Sequence, residues 1–166
     1  MTTPFKREIE DRVRAILKAD SAFDDVAVFV RGVMPDPIAQ HWFPLAEIMV
    51  DTEDEDAEFR VTHVDGYRYG GFVQFSALLP DHPEVADRES DIASYDQVAV
   101  WANRCLLLLN AAQTLSDLVS SDGKERVRQV NVALPKYAIG PSRARQNNLD
   151  ALAMVQFDVR TARSKT

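Results

Sequence analysis

Hydrophobic residues recur at helical spacing in two stretches of the chain. In the first, Phe5, Ile9 and Val13 are separated by charged residues, which predicts an amphipathic helix of about 15 residues. The second runs roughly from residue 94 to residue 120, with an apolar residue every three or four positions: Val98, Trp101, Cys105, Leu108, Ala112, Leu115 and Leu118. This helix is the more hydrophobic of the two, so we expect it to pack across a sheet as the central element of the core.

Five segments have patterns that are typical of β-strands. They are residues 26–30, 43–50, 67–79, 127–134 and 149–163. The third of these alternates strongly and places Tyr69, Val73 and Phe75 on one face. Its Gly70-Gly71 pair predicts a bulge or a close approach of another backbone. The apolar faces of the last two segments are Val130, Val132 and Leu134 in one and Ala151, Ala153, Val155, Phe157 and Val159 in the other.

Polar segments separate these elements. Residues 51–58 contain six acidic side chains, and residues 80–94 combine prolines with acids. Because neighbouring carboxylates repel one another and resist burial, we expect both segments to be exposed acidic loop insertions. Residues 136–149 contain Gly140-Pro141 and three basic side chains, which predicts a further loop.

The predicted order of elements is α-β-β-β-α-β-β. Most strands alternate and no βαβ pattern repeats, which favours an α+β fold. We expect a mixed, mostly antiparallel sheet with the N-terminal helix and the long central helix packed on one face. With 166 residues, of which 46% are hydrophobic, the chain can form one domain over residues 1–166.

Neither a secretory signal nor a membrane span is predicted. The first residues lead into a charged amphipathic stretch, and the longest apolar runs are far shorter than the roughly 20 residues that span a bilayer. The single cysteine, Cys105, excludes an intrachain disulfide and is expected to be a small buried hydrophobe. We therefore expect a protein that stays in the cytoplasm where it is made.

Residues that could carry catalysis or bind a metal do not form a known motif. His41, His63 and His82 lack metal-ligand spacing. The acidic run from Asp51 lacks the glycine and the glutamate that a calcium-binding EF-hand loop requires. The six glycines match no dinucleotide or phosphate loop. The sequence thus predicts no enzyme, no cofactor and no metal site.

Charge and aromatic residues indicate contacts with other proteins. Residues 124–166 carry a net charge of +6, and residues 1–123 carry −13. This division argues against a general nucleic-acid binder. It allows the basic part of one copy to meet the acidic part of another; two solvated surfaces are the alternative. The candidate contact residues are Lys136, Arg143 and Arg145 on the predicted basic loop, and Trp42 with Phe43 in a candidate apolar patch.

Two strand sequences carry a resemblance to a known family. The first is Tyr67-Arg68-Tyr69-Gly70-Gly71-Phe72-Val73-Gln74-Phe75, and the second is the closing strand from Asn147 to Thr161. Together with the order of the elements around them, they resemble the tail terminator, tail completion and neck proteins of long-tailed bacteriophages. The resemblance covers nearly the whole chain. Members of this family are usually somewhat shorter, so the two acidic segments would be insertions.

The resemblance implies structural work in a virion. Members form a six-fold ring on the head-proximal end of the tail tube, where the ring stops tube growth and offers a docking face to the head connector. For this chain it implies a hexameric ring that contacts the tail tube protein and a head connector or neck protein. Genome DNA would pass through without specific binding, which suits an acidic chain because grip on DNA comes from Lys and Arg.

Other interpretations stay open. One is another head–tail connector or minor tail ring protein, which would share the ring and differ in its neighbours. Another is a cytoplasmic module that binds a small molecule or peptide in an apolar pocket, lined by Gly70-Gly71 and the Tyr67/Tyr69 pair. An enzyme of unrecognised type is a third, but no motif supports it.

Overall fold

A curled sheet of six strands is the framework of the described part of the molecule. The computed structural model describes residues 3–31, 39–79, 88–111, 114–145 and 148–165, and only the backbone at 40, 60 and 88–92. The elements are α1 (Phe5–Lys18), β1 (Ala27–Val30), β2 (Leu45–Val61), β3 (Val64–Leu78), α2 (Arg88–Asn110), β4 (Glu125–Val132), β5 (Lys136–Pro141) and β6 (Leu149–Ser164). Short 3-10 helices lie at Ser21–Phe23 and Gln40–Trp42.

The strand order is β1-β2-β3-β6-β4, and β5 pairs with the other half of the β6 edge that β4 occupies. β1 runs parallel to β2, and the other pairs are antiparallel. The prediction of a mixed, mostly antiparallel α+β fold is therefore confirmed. β5 is an addition, because its residues fall in the predicted basic loop.

Both helices cover one face of the sheet, which we call the inner face. Alternate residues of β3 and β6 point into the core there, among them the predicted sets Tyr69, Val73, Phe75 and Ala151, Ala153, Val155, Phe157, Val159. Phe75 lies at the centre: its ring stacks on Phe23 at 5.7 Å and lies 6.4 Å from Trp101 of α2. The Trp101 indole N–H donates to the Ala22 carbonyl at 3.1 Å, so this large side chain is buried with its polar atom satisfied.

The predicted irregularity at Gly70-Gly71 is confirmed. Gly71 pairs with Val50 and Gly70 with Thr52, so Asp51 is an extra residue in β2 and forms a β-bulge. The approach is also close. A Cβ atom on Gly71 would lie 2.6 Å from the Met49 carbonyl oxygen and 2.6 Å from the Phe157 ring.

The prediction of an acidic loop at 51–58 is wrong, because β2 continues to Val61. Its charges do not need burial: β1 pairs only with residues 45–48, so the rest of β2 is a sheet edge, where Asp51, Glu53 and Glu55 are exposed. Other carboxylates of the run gain partners that a sequence pattern does not show. Asp56 lies 2.9 Å from Arg128 of β4, and Glu58 lies 3.7 Å from Arg160 of β6.

The Arg128–Asp56 contact shows how strongly the sheet curls. β3 and β6 lie between β4 and β2, so a flat sheet would hold the two strands roughly 14 Å apart at the usual strand spacing. Instead the Arg128 guanidinium reaches Asp56 and also lies 3.8 Å above the Phe59 ring. Phe59 belongs to residues 56–59, which bulge out of β2 opposite Gly66.

The bounds of the second helix also differ from the prediction. Residues 88–94, expected in the loop at 80–94, are the first turns of α2, while 80–87 lie outside the described residues. α2 ends at Asn110 instead of continuing to Ser120. Beyond it the Thr114 hydroxyl oxygen lies 3.0 and 2.8 Å from the carbonyl oxygens of Leu108 and Ala111, which share its one proton. Leu115 and Leu118 remain in the core from the irregular segment that follows.

The buried face of β4 corrects another expectation. Val127 is buried, although the pattern assigned the apolar face to Val130, Val132 and Leu134. A bulge at Arg128 shifts the alternation, so Val127 and Val130 both pack against the core. Leu134, beyond the end of β4, is 79% exposed.

Replacement of Gly71 by alanine is expected to lower the free energy of unfolding by about 1–3 kcal/mol, because the new methyl group meets a backbone oxygen and a packed ring. Gly140→Ala is the matched control, since there the nearest atom is the mobile Leu152 Cδ1 at 3.0 Å. Urea unfolding of both variants measures the difference. Equal losses would contradict the account of the close approach.

Candidate assembly surface

α2 carries a second apolar stripe that faces solvent. Val100 and Leu107 are 58% and 63% exposed. They lie seven residues apart, and Val100 is turned about 200° around the helix from the buried Val98. A helix that packs on one face only has polar residues on the other. Two large aliphatic side chains there indicate a surface that another molecule covers.

β5 extends this apolar surface along the edge of the sheet. Tyr137 and Ile139 are 39% and 55% exposed, and both lie on the inner side, beside α2. The Asn103 side chain donates to the Tyr137 hydroxyl at 3.3 Å, and the Tyr95 and Tyr137 rings lie 6.0 Å apart. We call Val100, Leu107, Tyr137 and Ile139 the α2–β5 surface.

The geometry of this surface suits a protein partner better than a small ligand. The depression along α2, of about 610 Å³, is lined by Ala99, Val100, Asn103 and Leu107 among others and is shallow and open. In the described part of the chain no strand pairs with the outer edge of β5. An exposed apolar edge strand is a template for further strand pairing, and apolar patches of this kind mark protein contacts.

The predicted apolar patch at Trp42 and Phe43 lies at the opposite edge of the sheet. The Trp42 ring packs edge-on against Phe29 of β1 at 5.6 Å, and the exposed His41 lies 5.0 Å from Trp42. Trp42 and Phe43 are both partly exposed. β1 is one lateral end of the sheet, and β5 shares the opposite edge with β4, so the molecule presents different aromatic and aliphatic groups on its two sides.

The three basic candidates are only partly together. Lys136 is exposed on β5, whereas Arg143 and Arg145 follow β5 in a loop held against the chain itself. Arg143 donates to Glu47 of β2 at 3.2 Å, and Arg145 donates to the Leu79 carbonyl. A contact role for the three stays a prediction, but Arg143 and Arg145 also anchor their own loop.

Hydrogen bonds to the buried Asp150 hold the loop that follows β5 in place. The Asp150 side chain is buried, and Ser142 and the Arg143 backbone bond to it. The Ser142 hydroxyl in turn accepts hydrogen bonds from the backbone N–H groups of Ala144 and Arg145, each at 3.2 Å. Burial raises the pKa of Asp150, and Ser142 and the nearby arginines only partly oppose this.

Ion pairs within the chain join its basic and acidic parts. They are Arg128–Asp56 at 2.9 Å, Arg143–Glu47 at 3.2 Å, Arg160–Glu58 at 3.7 Å and Lys165–Asp65 at 3.0 Å. Each links residues 124–166 to residues 1–123. Part of the charge in the basic and acidic parts is thus already paired within one copy. A contact between copies would therefore depend mainly on apolar side chains.

A buried polar network ties β4 to the rest of the inner face. Glu125 accepts hydrogen bonds from the Tyr69 hydroxyl at 2.9 Å and from the Thr161 hydroxyl at 2.6 Å. Burial and the adjacent Glu125 raise the pKa of Tyr69 far above its ordinary value, so the phenol stays a hydrogen-bond donor. Tyr69 also lines a mostly polar cleft of about 190 Å³, which is unlike the apolar pocket expected of a binding module.

The described residues show no group of three or more His, Cys, Asp or Glu placed to hold a metal ion. His63 lies exposed in the turn between β2 and β3, and His82 falls outside the residues that the structure describes. Cys105 is fully buried, as predicted, and burial raises the pKa of its thiol to about 12. Across those same segments, no helix combines the length and apolar composition that crossing a membrane requires.

No model of a known protein family matches this chain, and no curated protein sequence is significantly similar to it.

The sequence pattern did not single out the α2–β5 surface. Tyr137 and Ile139 fall in residues 136–149, which the pattern predicts to be a loop. A signal was nevertheless present: Val100 and Leu107 repeat at a spacing of seven on the side opposite Val98 and Cys105.

The Asp150→Asn variant is expected to gain stability relative to the natural protein as the pH rises from 4 to 7. An unfolded aspartate has a pKa of about 3.9. Since folding raises the pKa of Asp150, the stability linked to its protonation is present below pH 4 and is lost as the pH rises through the folded value. Asparagine does not ionise and avoids this loss.

Urea unfolding of both proteins at the two pH values tests this, because contributions of other groups cancel in the difference. A stability difference that is the same at pH 4 and pH 7, or that moves the other way, would show that burial does not control this carboxyl group.

Proposed function

We propose that this protein is a structural component of a bacteriophage virion that assembles with copies of itself into a ring at the head-proximal end of the tail tube. There it ends tube polymerisation and joins the tail to the head connector. The observation that carries the proposal is the α2–β5 surface, an exposed apolar face at one lateral edge of the sheet, with a different aromatic surface at the other edge.

A ring requires this kind of asymmetry. In a cyclic assembly each copy uses one patch to bind the neighbour on one side and a second, different patch to bind the neighbour on the other. The β5 edge offers Tyr137 and Ile139, and the β1 edge offers Phe29 and Trp42. The six-fold symmetry of the proposal comes from the resemblance to tail terminator proteins.

The acidic charge of the chain supports the role of a passage for DNA. Asp51, Glu53 and Glu55 are exposed along an edge that no described strand covers, and the whole chain carries a net charge of −7. Proteins grip DNA by neutralising phosphates with Lys and Arg. An acidic chain around the lumen of a ring would repel the DNA backbone and let it slide.

The mass of the purified protein, measured by light scattering after gel filtration, tests the proposal. A closed ring of about six copies of 18.6 kDa is expected. Because the proposed contact is mainly apolar, the ring should persist at high salt. A monomer at every concentration and salt would contradict assembly in solution and favour the binding-module interpretation.

Leu107→Glu is expected to prevent assembly without unfolding the protein, because it places a charge on the α2–β5 surface. Leu107 is 63% exposed, so the effect on stability should stay within about 0.5 kcal/mol. Val61→Glu, at a residue 53% exposed near the turn between β2 and β3, is the matched control. Light scattering and circular dichroism of both variants separate assembly from folding. If the Leu107→Glu variant still assembles, the α2–β5 surface is not the contact between copies.

A further inference from the structure

We propose that the outer edge of β5 in one copy pairs antiparallel with the outer edge of β1 in the next copy, so that the sheet continues from copy to copy. The inference rests on the proposed function, because it names the two surfaces that join in the ring. It assigns β1, together with the α1 helix that lies over it, as the occupant of the α2–β5 surface.

The outer edge of β1 pairs with no strand among the described residues. Ala27 N–H donates to the Pro44 carbonyl at 3.0 Å and Arg31 N–H to the Ile48 carbonyl at 2.9 Å. Since successive residues of a strand point their backbone groups to opposite sides, Val28 and Val30 direct theirs away from β2. There the Val28 carbonyl receives a long bond of 3.5 Å from Arg14 Nε, at the limit of a hydrogen bond.

β5 presents the matching edge. It pairs with β6 on one side, and no described strand pairs with the other. β5 has six residues and β1 has four. The two short strands can therefore satisfy each other's free backbone hydrogen-bonding groups. Addition of a strand to an open sheet edge is an established way for proteins to bind.

The strand directions make this pairing antiparallel. β1 runs parallel to β2, and β5 is reached from β2 through three antiparallel steps, by way of β3 and β6. β1 and β5 therefore run in opposite directions. Copies related by rotation about an axis along the strands keep that relation and keep the helices on the same side, so β5 meets the next β1 as an antiparallel neighbour.

Side chains on the outer face are complementary in size. The outward residues of β5 are Lys136, Ala138 and Gly140, as their pairing with Met154, Leu152 and Asp150 shows. The small Ala138 and Gly140 leave room for the bulky Phe29–Trp42 pair of the next β1.

Side chains on the inner face also match. Tyr137 and Ile139 lie on the inner side of β5, and Val28 and Val30 on the inner side of β1. Aromatic and β-branched side chains are favourable partners across antiparallel strands. All four are at least partly exposed in the single copy and would be covered by the pairing.

The helices would then meet on the same side of the continuous sheet. α1 of the next copy lies over its own β1, since Arg14 reaches the Val28 carbonyl. It would bring the exposed Arg14 and Lys18 beside the exposed Asp96 of α2. Their aliphatic stems can cover Val100 and Leu107 while the charged ends stay in water.

Cross-linking between single-cysteine variants tests the pairing. Ile139→Cys and Val28→Cys are made in separate full-length proteins that carry tags of different size. Cys105 is kept, since its buried thiol is shielded from reagent. After mixing and assembly, a short bismaleimide is added, which spans directly opposite and diagonal positions of neighbouring strands.

The expected result is a cross-linked pair of one copy of each variant, and loss of that product when either variant is treated alone. Thr62→Cys, exposed in the turn between β2 and β3, is the control and should not join to Val28→Cys. Circular dichroism shows that each variant is folded.

Other outcomes overturn the inference in distinguishable ways. Cross-linking of Ile139→Cys to itself would show a two-fold contact between β5 strands. An assembled ring without the mixed product would mean that the proposed function stands and this pairing is wrong. Absence of any assembly, with all variants monomeric in light scattering, would contradict both.

Discussion

The bulge at Asp51 and the carboxylate of Glu10 determine how the helices and the sheet fit together. Glu10 of α1 is buried, accepts the Val50 N–H beside the bulge at 2.9 Å and lies 3.0 Å from the Arg31 guanidinium. Arg31 also bonds to Asp11 at 2.7 Å and holds a backbone φ of 58°. Loss of one member of such a buried pair typically costs about 3–5 kcal/mol, because the remaining charge has no partner.

The rest of β2 follows from this contact. Before the bulge, alternate residues such as Ile48 and Val50 lie under α1 in the core. The extra residue reverses the alternation, so that Glu53, rather than Thr52, lies opposite Tyr69 on the inner side. The strand thereby changes from an apolar core strand to an acidic edge without a break, and the helix-covered part of the molecule ends where the charged part begins.

Local patterns predicted the elements that one buried face controls. β3 and β6 alternate along most of their length, and the structure places Tyr69, Val73 and Phe157 where that alternation put them. Prediction was wrong where distant residues decide the outcome. Residues 52–55 extend β2 because they pair with residues 67–70 of β3 at an edge that leaves their carboxylates in water. The sequence pattern did not predict β5, because an edge strand that pairs only with β6 can form with little alternation of apolar and polar residues.

The candidate residues show the same division. The sequence indicates Lys136 and Trp42 as contact candidates, but their placement at opposite edges of the sheet depends on its topology. The curl that brings Arg128 to Asp56 has a consequence for any edge-to-edge array. A flat unit repeated side by side gives an open ribbon, whereas a curved unit turns by a set angle with each addition. That angle determines how many copies return to the starting point, so the curvature of the single sheet would limit the circumference of the array.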